Sequence, residues 1–594
     1  MFKFKFKFKF KALLALSCLN ACLGTIYDSV QDLPGLKYDF IIVGGGTAGL
    51  VVANRLTEIP SFSVLVLEAG VSNEGVLEST VPFFVNDLLS FNIYDWNYTL
   101  TPQPGLNGRV LPYYRARLLG GCSAHNIMVY TRGSKDDYDR YAKLTGDKRW
   151  SWDGIFPYFL KNEKWVRPAD HHDTAGQYNP LVHSTYGLNP VSLSGHPWPV
   201  GPRIIQATQE LPHAYPFNLD MNSGKPLGVG WLQSTIGGGQ RSTSATSYLA
   251  PQYAKRKNLH VLLHAQVTNL VNSSYSKGKL EFGGVQFLQP GSPPYTAKAT
   301  KEIILSAGPV GTPQILMHSG IGNKTALSAL GIQSLLDLPS VGQNISDHPA
   351  VGLSWTVNST KTLESLAPNS TAFNEAFAQW NSTRTGPFVM GGLTNLGWLR
   401  LDPDSPIFEE FPDPSAGSLS PHIELLFSAG RSGATGHHMG ISAAVVSPIS
   451  RGSITLKSNN PLDPPLIDPG YLTSEFDLYV ARVGLQRAQE FVTAPVWNDY
   501  VIAPTVNITN FTTDELNTFI RNNAAPIAHL VGSAGMSSSD ASYGVVNPDL
   551  LVKGANGLRI IDASVLPIVP GAHTQAATYA IAERGSDLVK ASWL

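Results

Sequence analysis

Cysteine is nearly missing from this sequence: Cys18, Cys22 and Cys122 are the only three in 594 residues. That number cannot build the disulfide framework of a small stapled domain, nor a cysteine-based metal centre. Charge is sparse too, at 15% of residues and a formal net value of −1. No basic block lies in the body of the chain, which argues against nucleic acid and acidic membranes as partners. None of the 15 histidines has the spacing of a metal cluster.

What is present is globular: 43% hydrophobic and 10% aromatic residues, with 55 glycines and 42 prolines. So many turn formers beside so much apolar surface indicate long structured loops rather than disorder. At roughly 150 residues per domain the length suggests about four, although large two-domain enzymes with insertions fall in the same range.

The stretch "MFKFKFKFKFKALLALSCLNACLG" reads as a secretory signal over 1–24, five lysines followed by about 13 mostly apolar residues. That apolar run is shorter than the about 20 residues a membrane span needs. Loss of Lys3, Lys5, Lys7, Lys9 and Lys11 takes the formal charge from −1 to −6 and leaves Cys122 alone. A chain without disulfides relies on a large core, and this one has the length for it. Nine Asn-x-Ser/Thr sequons, at Asn97, Asn272, Asn323, Asn344, Asn358, Asn369, Asn381, Asn507 and Asn510, agree with a secreted, extracellular protein.

The first chemistry appears in "KYDFIIVGGGTAGLVVANRL". An apolar run of strand length, Phe40 to Val43, meets Gly44-x-Gly46-x-x-Gly49 and then a helical pattern. A second apolar run, Val64 to Leu67, ends on Glu68. Strand, tight turn, helix and second strand within about 30 residues form a dinucleotide-binding unit. Gly44 makes the turn, Gly46 admits a pyrophosphate to the backbone, and Gly49 lets helix and strand pack closely. Glu68 suits ribose hydroxyls and repels a 2′-phosphate. For an exported protein a tightly held FAD is the expected dinucleotide.

Four further stretches carry a resemblance: "LLGGCSAHNIMVYTRGS" from Leu118, "GPVGTPQILMHSGIG" from Gly308, "SVGQNISDHP" from Ser340, and "GLRIIDASVLPIVPGAHTQAATYAIAERGSDLV" near the C-terminus. With the glycine fingerprint they resemble the glucose–methanol–choline (GMC) FAD-dependent oxidoreductases over nearly the whole chain after residue 24. The resemblance implies an α/β fold: a Rossmann-like FAD-binding domain interleaved with an α+β substrate domain on a large antiparallel sheet. It assigns 25–130, 235–350 and 545–594 to the first, and 131–234 and 351–544 to the second. Gly44, Gly46, Gly49 and Glu68 would then hold the ADP half of the cofactor. Val267 would give a backbone contact to adenine, Asp562 an acid near the ribityl–pyrophosphate region, and Thr574 and Gln575 would lie by the flavin.

Among the histidines, His529 in "APIAHLVGSAG" and His573 in "VPGAHTQAA" match the family's active-site pair. Oxidising an alcohol removes an O–H proton and passes a hydride to flavin N5. A neutral imidazole suits the proton step and a second can hold the oxygen. His529 is assigned as base and His573 as the oxygen-orienting partner. The other histidines are read as surface or structural: His171, His172, His437 and His438 as solvent-exposed, His348 in "SDHP" as structural.

Asn126 fits the family's flavin-side asparagine. His125 beside it makes "GGCSAHNIMVYTRGS" similar to fungal pyranose dehydrogenases, in which the histidine at this position is bonded covalently to the flavin. "DWNYT" and "VVNPDLLVKGANGLRIIDASVLP" point the same way. This resemblance implies a dehydrogenase of free sugars using quinone-type acceptors. The N-terminal half is equally similar to aryl-alcohol oxidases, which reduce O2 to hydrogen peroxide. In that reading FAD is held non-covalently and His125 is a loop residue. Ile127 stands where those oxidases have an aromatic residue, and Phe427 is a candidate wall of the substrate pocket. Cyanohydrin-cleaving lyases share the fold, and bleaching of the flavin by an alcohol excludes them.

Overall fold

The computed structural model describes residues 25–90, 92–276, 278–430 and 434–594; the signal read over 1–24 lies outside them. Val64–Leu67 is buried at every position and Lys37–Val43 at its last four, because parallel strands covered on both faces need continuous apolar runs. These two strands pair in parallel, Phe40 opposite Val64 and Val43 opposite Leu67. Leu259–Leu262 flanks the pair on one side and the end of Tyr295–Leu305 on the other. The antiparallel strands Gln266–Ser276 and Lys279–Leu288 extend the sheet, and Leu558–Ile560 returns late in the chain to pair beside Leu305. This register carries the residues after Val43, Leu67 and Leu305 to one sheet edge. The carboxyl ends of such strands are where ligands bind in open α/β sheets.

The helix Gly49–Leu56 lies so close to its strand that a Cβ on Gly49 would stand 2.0 Å from the Gly44 carbonyl oxygen. The C-terminal helix Thr574–Trp593 packs on Gly49–Leu56 and on Trp152–Asn162. A buried fork joins the first two: Arg55 Nε and Nη2 donate to the Glu583 carboxylate at 2.8 and 2.7 Å.

A second, antiparallel sheet runs Val501–Pro504, Pro349–Val357, His438–Val445, Ile423–Ser428, Leu393–Leu399, Gly228–Trp231, with Ala525–Pro526 also paired to Pro349–Val357. The helix Glu475–Phe491 packs across it. The architecture is thus the expected α/β one, with a mostly parallel nucleotide-type sheet and a large antiparallel sheet.

A buried ionic network holds the loop after Trp165. His183 lies between Glu163 and Asp220, each 2.7 Å from a ring nitrogen, and Arg132 reaches the other Glu163 oxygen at 2.5 Å. Burial opposes a charge on His183, but hydrogen bonds to Asp220 and Glu163 outweigh it and raise its affinity for the proton. A raised folded value means that this stabilisation is complete below the unfolded value of about 6.5 and is lost as pH climbs through the folded one. His183→Gln should therefore lower the thermal midpoint at pH 6 more than at pH 9. A gap that does not narrow with pH would show that the ring carries no proton.

Candidate active site

One cavity of about 410 Å³ runs from the sheet edge to the antiparallel sheet. Its walls include Gly44, Gly46, Glu68, His125, Asn126, Val267, Asp562, Thr574 and Gln575, together with His529 and His573. Gly49 stands behind the wall, in the helix. Eleven of the twelve residues assigned from the sequence to catalysis or cofactor binding therefore share one space.

At the sheet edge, Glu68 takes N–H groups from Gly45 at 2.8 Å and Gly70 at 2.7 Å, and burial pushes its carboxyl up to about 7. Each oxygen keeps acceptor capacity for a hydroxyl. Gly46 and Gly121 face each other across the floor, where a Cβ on Gly121 would come within 2.7 Å of the Gly46 Cα. The helices starting at Gly49 and Thr574 have no side-chain cap, so their first N–H groups remain available to an anion or a carbonyl. The third helix start at this edge is already served: Asp562 accepts from Gly308 N at 2.9 Å and Thr312 Oγ1 at 2.7 Å. Val267 sits on the strand immediately before a bulge at Thr268.

His125 is 2% exposed, and its Nε2 has no hydrogen bond although Asp95 Oδ2 lies 3.3 Å away. Burial, with the cations Arg241 and Arg115 adding to it, lowers this imidazole to about 3, so the ring is neutral. Burial raises Asp95 to about 6. Asn126 donates to Gln575 Oε1, accepts from Met128 N at 2.9 Å, and is held from below by Arg241, whose Nη1 donates to the Asn126 carbonyl.

At the other end the His529 and His573 rings lie 4.5 Å apart, centroid to centroid, inclined at 74°. His573 Nε2 meets Glu424 Oε1 at 2.8 Å, and its backbone N–H donates to Thr131 Oγ1 at 2.9 Å. Glu424 is fully buried on the strand Ile423–Ser428. Its carboxylate fixes the His573 ring through Nε2, so that Nδ1 is the nitrogen left outside this contact. His529 has no such partner. Burial, then the neighbouring His573, His348 and Arg115, holds it well below the ordinary imidazole range, so it is neutral and free to accept a proton.

The loop bearing His529 is strained and clamped. Ala528 adopts φ +62°, in the left-handed region. Its carbonyl accepts from Arg115 Nη2 at 2.9 Å, while His529 N donates to Asp347 Oδ1 at 2.5 Å. Asp347 also takes His348 N at 2.7 Å, Tyr113 Oη at 2.6 Å and Tyr471 Oη at 2.5 Å.

His348, read as structural, is fully buried with its Nδ1 3.0 Å from the Nδ1 of His529. Two expectations need correction. His438 is buried, with Nδ1 2.9 Å from Glu364, rather than solvent-exposed. Phe427 packs against Phe491 on the far face of its strand, and by alternation Leu426 lines the cavity instead. Glu424, Asp347 and Arg115 escaped the sequence reading. Only Glu424 left a signal there, an acid inside the apolar strand "HIELLF".

These walls fit FAD. They offer a glycine floor where a Cβ on Gly44 or Gly121 would clash with backbone, two uncapped helix starts, an acid at the end of the second strand, and a buried imidazole nitrogen without a hydrogen bond. Among the described residues no helix is long and apolar enough to cross a membrane and no metal-ligand group is found. Known proteins agree with the cavity. The two GMC oxidoreductase family models match residues 38–350 and 448–582. The dehydrogenase eriK of Hericium erinaceus is 41% identical over 591 residues, 97% of this chain and 98% of that one. A pyranose dehydrogenase of Agaricus campestris is 40% identical over 592 residues, 96% of each chain. Among solved structures, a formate oxidase mutant from Aspergillus oryzae RIB40, studied for FAD modification, superposes with TM-score 0.86 at 28% identity, over 94% of this chain and 99% of that one. A fungal aryl-alcohol oxidase gives TM-score 0.81 at 25% identity, over 94% and 100%. The chain belongs to the GMC oxidoreductase family and is an FAD-dependent oxidoreductase acting on CH–OH donors.

Proposed function

We propose that the protein is an exported, pyranose dehydrogenase-like enzyme that oxidises sugar CH–OH groups to carbonyls and passes the electrons to quinone-type acceptors. The observation that carries this reading is the His529/His573 pair at one end of the cavity, with Glu424 behind one ring and no carboxylate behind the other. Bound FAD supplies the hydride acceptor, N5. The chain supplies the rest. His529 accepts the hydroxyl proton at Nε2, and His573 holds the oxygen from Nδ1. The clamped loops fix both rings before substrate arrives, which removes the reorganisation cost from the reaction. Gly44, Gly46, Gly49, Glu68, Val267, Asp562, Thr574, Gln575 and Asn126 hold the cofactor.

FAD is joined covalently through His125 in this reading. A neutral ring whose Nε2 makes no hydrogen bond, with the Asp95 carboxyl 3.3 Å away, supports a nucleophile at that atom. Export is supported by the signal-like start and by the exposure of all nine sequon asparagines. Sugar as substrate is supported by the pyranose dehydrogenase relatives, and by Ile127, which lines the cavity where an aromatic clamp for a benzylic ring would stand. The aryl-alcohol oxidase neighbour supports the second reading, an aromatic alcohol as donor and O2 as acceptor.

One experiment separates the two. The purified protein is mixed anaerobically with D-glucose and, separately, with p-methoxybenzyl alcohol, and the visible flavin absorbance is followed. Bleaching by glucose alone is expected; bleaching by the aromatic alcohol alone selects the oxidase. The same sample, precipitated with acid, should keep its yellow colour in the pellet. Colour released into the supernatant rules out the link at His125.

A further inference from the structure

We propose that His348 is a positioning residue that fixes the ring tautomer of His529, so that the His529 Nε2 presents a lone pair to the substrate hydroxyl. The inference rests on His529 being the base and goes further: it says what makes it one.

The two Nδ1 atoms lie 3.0 Å apart with the rings at 86°. At that separation two lone pairs repel and two N–H groups clash, so a single proton lies between them. If His348 donates it, the proton of neutral His529 sits on Nε2 and faces the cavity as a donor, leaving no base. If His529 donates it, Nε2 is free. The surroundings of His348 decide between the two. Its ring is fully buried, and burial followed by the charge of His573 lowers it to about 3, so it carries one proton. The Val446 carbonyl approaches the ring, outside full hydrogen-bond geometry, and a carbonyl favours an N–H over a lone pair. With the His348 proton on Nε2, its Nδ1 is the acceptor.

The pair cannot drift out of this contact. Both backbone N–H groups bind the same oxygen of Asp347, and Ile527 N donates to the His348 carbonyl at 3.1 Å. The ionisable groups around the pair are His573 with Glu424 behind it, Arg115, Asp347, Tyr113 and Tyr471. Among these neighbours His348 alone touches a ring nitrogen of His529 in the hydrogen bonds described. The other contacts hold the backbone or act through space.

The test compares three variants of the FAD-loaded protein. His348→Leu removes the acceptor, His348→Asn places an amide where Nδ1 stood, and His348→Gln places one where Nε2 stood. The probe is whichever of D-glucose and p-methoxybenzyl alcohol reduces the wild-type flavin faster, with its own carbonyl product as the inhibitor. The Leu variant should reduce flavin about tenfold more slowly or worse, the scale of one lost buried hydrogen bond. Substrate KM should stay near the wild-type value. The Leu variant should also bind the carbonyl product more tightly, because a His529 with its proton on Nε2 is a donor to that oxygen. Asn should recover much of the rate and Gln should not. Slower reduction with weaker product binding in all three variants would assign His348 to packing alone and overturn the proposal, as would wild-type rates throughout. If Leu does not fold, the Asn and Gln pair decides. Separately, His529→Gln with an undiminished rate would overturn the base assignment itself.

Discussion

Replacing His529 with glutamine is expected to slow flavin reduction by about 10²- to 10⁴-fold, the span that a positioned general base contributes. KM should change little, because His573 still holds the substrate oxygen through a ring braced by Glu424. The pH dependence has a definite sign. A base works when unprotonated, and burial, with His573, His348 and Arg115 beyond it, keeps His529 well below the ordinary imidazole value. The wild-type reductive rate should therefore stay level as pH falls through about 6.5, where an unperturbed histidine would begin to fail. Rapid-mixing traces between pH 5 and 8 test this. A wild-type rate that drops through that range and tracks a single imidazole would show that the site does not hold His529 neutral.

The largest effect on stability should come from Asp347→Ala. One carboxylate receives four donors there, the Tyr113 and Tyr471 hydroxyls on Oδ2 and the His348 and His529 backbone N–H groups on Oδ1. All four donors belong to buried residues. Removing their common acceptor leaves them unpaired and deprives Arg115 of its nearby countercharge, which should cost about 3–5 kcal/mol. Denaturant unfolding measures it, and a loss below about 1 kcal/mol would mean that the network re-forms around water. Asp347→Asn keeps the shape and half the acceptor capacity, so it should fall between. Both variants should also lose activity, since the His529 loop carries the left-handed Ala528 and is pinned by this carboxylate.

How far the sequence foretold this site depends on the range of each interaction. The fingerprint from Phe40 to Glu68 was legible because its meaning is local: a strand, three glycines, a helix and an acid, all within the span where spacing dictates geometry. His529 and His573 were legible only through resemblance; nothing in the loops "APIAHLVGSAG" or "VPGAHTQAA" fixes a pairing of two rings. The His348–His529 contact joins residues 181 apart, and no periodicity reports on such a distance. Asp347 likewise reads as one acid in a loop until Tyr113 and Tyr471 arrive from elsewhere. Phe427 was misplaced for a simpler reason. An apolar strand buried on both faces does not announce which face looks into the cavity, whereas the one acid in it, Glu424, does.

The cavity is also a crossroads of the chain. Its wall is assembled from turns near residues 44, 68, 126, 267, 308, 528, 562 and 574, which in an unfolded polymer wander independently. A dinucleotide lying across them closes several long loops at once, and the entropy of each closure grows only slowly with loop length. In a protein whose described residues contain a single thiol and hence no disulfide, the prosthetic group serves as the missing cross-link. Held without a covalent bond, at a hundred times its dissociation constant, it would by itself deepen the folded well by about 2.7 kcal/mol.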